Sequence, residues 1–166
     1  MVTHTPEVAR LGLFGWKLVR LIETHSDQLA GGLLARIQGS GRCTTLVELV
    51  PREELKQRSY EIYHNLGEWL QNKSESDVEH HYLAIGARRA AQGVPLSQAM
   101  LAIVATKEHL WEYVGREILF DRSFELLQEL ELLQHVERFF DRASYFMAVG
   151  HESHQAPHHK AAAGSS

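Results

Sequence analysis

Cysteine is almost absent from this 166-residue chain: Cys43 stands alone, so there is no internal disulfide and no Cys-x-x-Cys pair for metal or redox chemistry. A reducing compartment is the expectation. No apolar run approaches the ~20 residues that span a bilayer, and the N-terminus lacks a charged region followed by an apolar stretch and a cleavage site. The sequence therefore predicts a cytosolic protein with no membrane partner. Basic residues are few, 17 Lys and Arg against 21 Asp and Glu for a net charge of -4. Without a basic stripe to displace phosphate counterions, nucleic acid is excluded as a partner. Also missing are a Gly-rich phosphate loop with Lys-Ser/Thr, a Gly-x-Ser-x-Gly elbow and a Cys-x-x-Cys-His haem attachment. The chain reads as a binding protein, with no catalytic residue, metal or cofactor expected.

Prolines are also sparse, at positions 6, 51, 95 and 157, and the intervals between them show helical rather than alternating periodicity. The predicted fold is all-α, a single domain of about six helices over residues 1–150, with a disordered His-rich tail over 151–166. A first helix runs from Pro6 to Thr24, and a second starts at Ser26 or Asp27 and carries Leu29, Leu33 and Ile37. Thr45 with Glu48 reads as a capping box for a brief helical turn. The third helix extends from Pro51 to about Gln71. Ser74 with Asp77 opens a fourth, which ends where Gly93 takes a left-handed cap and Pro95 forbids continuation. The fifth runs from Pro95 to about Phe120, and the sixth from Ser123 to about Gly150.

Helical wheels then ask which polar residues fall on apolar faces, since a buried charge is paired or functional. Lys107 falls within the stripe Leu96, Met100, Ile103, Leu110, Trp111 and Val114. Arg89 continues the stripe Val78, Tyr82 and Ile85. Glu137 flanks the face formed by Leu126, Leu130, Leu133, Val136, Phe140 and Met147, where it can neutralise one of the two cations. Arg89, Lys107 and Glu137 are thus candidate ligand-binding residues for an anion. The simpler alternative is that they form structural ion pairs or reach the rim with their long stems.

The histidines invite a metal reading that their wheel positions oppose. Glu61 with His64 and Asp77 with His80 have the Glu-x-x-His type of spacing found in di-iron bundles, yet Glu61 and His64 point away from Leu55, Ile62 and Leu66, and His80 sits opposite Val78 and Tyr82. His81 lies at the edge of its stripe and is the fourth candidate ligand-binding residue, either for a haem or small ligand or as a rim histidine. On the first helix Leu13 and Trp16 sit opposite the core stripe, where an exposed Trp with an apolar neighbour marks association. They are the candidate interface of a homodimer, unless a neighbouring helix covers that face.

Four stretches carry a family resemblance. They are Arg58-Ser-Tyr-Glu-Ile-Tyr-His-Asn-Leu-Gly-Glu-Trp-Leu70, Gly86-Ala-Arg-Arg-Ala-Ala-Gln-Gly-Val-Pro-Leu-Ser97, Thr106-Lys-Glu-His-Leu-Trp111, and Phe139-Phe-Asp-Arg-Ala143 with Tyr145 and Gly150-His-Glu152. From about Glu7 to Glu152 the chain resembles the RsbRD N-terminal domain family, co-antagonists of the switch kinase RsbT, whose relatives also precede sensor histidine kinases. The resemblance implies a sensory or regulatory module in bacterial signal transduction, stress-response or two-component, with a protein partner. It also implies a globin-like fold without haem, beside the plain helical bundle that periodicity suggests. Such domains usually precede an output domain, so the expectation is either a stand-alone sensor acting through its partner or a segment of a longer protein.

Overall fold

The computed structural model describes residues 13–117 and 123–162, with side chains from 15–116 and 130–154. All regular structure among them is helical: α1 (Leu13–Thr24), α2 (Ser26–Gly39), α3 (Thr44–Leu49), α4 (Arg52–His64), a π-helical turn (Glu68–Asn72), α5 (Glu75–Ala91), α6 (Leu96–Glu117) and α7 (Ser123–Ala162). No helix among the described residues is long and apolar enough to cross a membrane.

The best-read helix is α5. Ser74 accepts from the Asp77 amide at 3.2 Å while Asp77 accepts from the Ser74 amide at 2.8 Å, closing the expected capping box. At the other end Gly93 has φ +81°. The Gly93 amide returns to Ala90 O and the Val94 amide to Arg89 O, both at 3.0 Å, a Schellman closure that satisfies two end carbonyls. Pro95 then starts the next helix.

Helix α5 packs chiefly on α7, and two glycines set their separation. A β-carbon on Gly86 would collide with Met147 O, and one on Gly150 with Leu83 O. The backbones touch because neither position has a side chain. The core gathers Val19, Ile22, Leu33, Leu46, Tyr63, Leu66, Leu110, Leu132 and Met147 from six of the helices and their connections, all nearly inaccessible. The Tyr63 hydroxyl is satisfied there, donating to Thr106 O at 2.9 Å.

Three expectations are revised. The helix predicted to run unbroken from Pro51 to Gln71 divides after His64, because the Gly67 amide is diverted to Glu23 Oε1 of α1 at 2.9 Å. The ladder re-forms one residue wider, with Lys73 donating to Glu68 O at 2.9 Å. The brief helical turn exists as α3, but its start is held from outside: Gln98 of α6 accepts from the Leu46 amide at 2.9 Å. Finally, α7 continues past the expected end at Gly150 to Ala162. His151, placed in the tail on composition, is 1% exposed; its Nε2 donates to Val94 O at 2.7 Å, which ties α7 to the α5–α6 bend.

Candidate functional site

The two cations singled out by their wheel positions occupy two separate clusters. Arg89 is buried, its side chain 6% exposed, at the C-terminal turn of α5 beside Arg88. Cations are favoured there by the helix dipole, and what makes burial tolerable is Glu54 at the start of α4. Arg88 donates from Nε and Nη2 to the two Glu54 oxygens at 2.6 and 2.9 Å, and Arg89 Nη1 donates to Oε1 at 2.7 Å. Gln92 joins both, accepting from Arg89 Nη1 at 2.9 Å and donating to Glu54 Oε2 at 3.3 Å. The Arg88 hydrogen bonds, joined by those and the charge of Arg89, hold the Glu54 carboxyl at about 2 against a burial that acts upward.

Lys107 meets the carboxylate expected to neutralise one of the cations. Its Nζ lies 2.9 Å from Glu137 Oε2, and Trp111 Nε1 donates to Glu137 Oε1 at 3.2 Å. This cluster joins α6 to α7 near the surface, with Lys107 28% and Glu137 37% exposed. Arg89 and Lys107 therefore do not share one anion site with Glu137: Lys107 meets Glu137, and Arg89 shares Glu54 with Arg88. Glu54 escaped the sequence reading. It lies next to Leu55 on a different helix, and its only signal was the doubled cation Arg88-Arg89 closing α5.

His81 is half-buried between Trp69 and Tyr82, with ring centroids 5.0 Å from each. Burial, with Arg58 nearby, lowers its basicity. Trp16 is half-buried and packs on the core, its ring edge meeting the space above Gly67; a neighbouring segment covers part of the face assigned to association. Leu13 opens α1, and its side chain lies outside the described residues.

The carboxylate–histidine pairs stay apart. Glu61 faces Arg58 at 3.4 Å, while His64 stacks on Tyr60 at 4.9 Å and lies 3.4 Å from Ser26 Oγ. Asp77 is committed to its cap and His80 is exposed. Among the described residues no three His, Cys, Asp or Glu side chains converge on a point where an ion could sit. Cys43 is buried, which pushes its thiol up and away from the reactive thiolate.

What the arrangement offers chemically is a set of closed ion pairs that fasten helix to helix. One family model, described as the RsbT co-antagonist protein rsbRD N-terminal domain, matches residues 27–161. No curated protein and no solved structure matches the chain.

Proposed function

Because the chain belongs to the RsbT co-antagonist protein rsbRD N-terminal domain family, we propose that it is a non-catalytic regulatory domain of stress-response partner switching. It acts by binding protein and pairs with a second copy of itself. The family match carries this reading. The ion pairs support it: Arg89 is tied to Glu54, which it shares with Arg88, and Lys107 to Glu137, so both cations are engaged in holding helix to helix.

The dimer would form through the outer face of α1, with Leu13 and the accessible part of Trp16 as anchors. Native mass spectrometry tests it: the expected spectrum is a dimer that Leu13→Asp converts to monomer at unchanged helicity. A monomer at all concentrations would remove the self-association. Co-elution with an RsbT-type kinase on a sizing column tests the partner.

A second reading, a haem or small-ligand sensor centred on His81, draws on the lowered basicity that keeps a ring neutral for ligation. A Soret band after haem reconstitution that disappears in His81→Ala would establish it, and a colourless product would end the haem version.

A further inference from the structure

Among α2, α4, α5 and α6 lies a half-open cavity of about 70 Å³. One water takes ~10–15 Å³ on the same measure, so about five heavy atoms fit. Its inner wall is buried and apolar, built from Leu46, Leu55, Ala99 and Met147, while the half-buried Arg58, Ile62, Ile85 and Ile103 stand on its open side. The backbones of α4 and α5 hardly approach each other, so the seam between these two helices is spanned by side chains.

Those side chains carry unbalanced charge. Arg88 and Arg89 share the single carboxylate of Glu54, and Arg58 meets Glu61 through Nη1 alone, at 3.4 Å. Three guanidinium groups against two carboxylates leave one positive charge along the seam. Arg58 is the group with donors to spare: its side chain is 35% exposed, and among the described residues its Nε and Nη2 have no protein partner. Its charge is felt at His81 and Tyr82 of α5, and Tyr82 borders the same cavity. The guanidinium thus reaches from α4 towards α5. Arg89, held by Glu54 and Gln92, adds field and no free donor edge.

We infer that the cavity takes an aliphatic monocarboxylate of the short fatty-acid class, its tail against Leu55, Ala99 and Met147 and its carboxylate on the free edge of Arg58. The apolar wall selects the chain, and the surplus positive charge selects the anion. Two adjacent open donors on one planar fork match the two oxygens of a carboxylate. A half-open cavity suits this division, since the tail leaves water while the head stays beside it. The site is independent of the partner-binding reading, which concerns the α1 face.

Titration of the intact chain with hexanoate, followed by isoleucine methyl NMR, tests it, with hexan-1-ol and acetate probing the tail and the head separately. Saturable shifts at Ile62, Ile85 and Ile103 are expected with hexanoate, at millimolar affinity because so few atoms make contact. Hexanol should bind about tenfold more weakly or worse, the loss of one charged hydrogen bond, and acetate should not saturate. Arg58→Gln should bring hexanoate down to the affinity of hexanol and leave hexanol itself unchanged, which a merely structural role for Arg58 would not do. Ala99→Leu, or Ala102→Leu should the first fail to fold, should abolish the shifts by filling the space. Hexanol binding as tightly as hexanoate, an unaltered hexanoate affinity in Arg58→Gln, or acetate saturating at the same concentration would each overturn the proposal.

Discussion

Gly86 and Gly150 are reciprocal: each lies against the partner helix's backbone, Gly86 at Met147 O and Gly150 at Leu83 O, where a β-carbon has no room. The obstacle on both sides is main chain, which cannot swing aside as a side-chain tip can. Gly86→Ala and Gly150→Ala should therefore each destabilise by about 3 kcal/mol, at the upper end of overpacking, and lower the melting temperature by roughly 5–10 °C. Gly31 and Gly115, also helical but with open space around them, supply the control. Alanine at either should leave stability unchanged or raise it by up to ~1 kcal/mol, and urea unfolding of the four variants measures the contrast.

Glu54 makes stability depend on acid. Its carboxyl in the folded chain titrates at about 2, below the ordinary 4.5, so folding favours the ionised form. The resulting stabilisation is complete above about 4.5 and is lost as the pH falls towards 2, with a size on the order of 2 kcal/mol. Urea midpoints taken between pH 6 and pH 3 should fall in the wild type and flatten in Glu54→Gln. That variant also leaves Arg89 buried opposite a neutral group and should be less stable by roughly 3 kcal/mol at pH 7. Arg89→Met, which removes the buried charge and leaves Glu54 with Arg88, should cost far less.

The parts of this architecture legible in the sequence are those whose cause lies within a few residues. Ser74 with Asp77 and Gly93 with Pro95 marked both ends of α5, because caps and turns answer to neighbours along the chain. Val78, Tyr82 and Arg89 were placed on the buried face of that helix, and all three are buried. Distant causes were not legible. The break after His64 comes from Glu23, the start of α3 is held by Gln98, and the acid facing Arg89 is 35 residues away on α4. On α7 the predicted face included Leu130, which is 46% exposed, whereas Leu132, Phe139 and Ala143 are buried. The contact at Gly150 fixes which side of that helix turns inward, and periodicity alone does not register it.

The second ion pair should behave unlike the first. Lys107 and Glu137 are partly in water, where the Coulomb attraction is screened and side-chain ordering offsets much of it. Lys107→Met and Glu137→Gln should each change stability by less than ~1 kcal/mol, in contrast to Glu54→Gln. Glu137→Gln also removes the charged acceptor from the Trp111 indole. Its tryptophan emission should shift while the circular dichroism spectrum is unchanged.

His151 tests whether the residues after Gly150 belong to the fold. Its Nε2 satisfies Val94 O inside the protein. His151→Ala should leave that carbonyl unpaired and open a cavity, destabilising by about 2–4 kcal/mol. The neighbouring Glu152 is exposed, and Glu152→Ala should stay within about 0.5 kcal/mol. Equal midpoints for the two variants in thermal unfolding would return His151 to a solvated tail.

The Schellman closure after α5 and the bond from His151 to Val94 O meet in a single residue. Val94 gives its amide to Arg89 O and receives the imidazole on its carbonyl. One residue of axial travel along α7 is about 1.5 Å, which taken across the 2.7 Å bond would stretch it to about 3.1 Å and tilt it away from the carbonyl. The seating of the long helix and the geometry of the α5–α6 elbow are thus joined through one residue, whose two main-chain groups are shared between them.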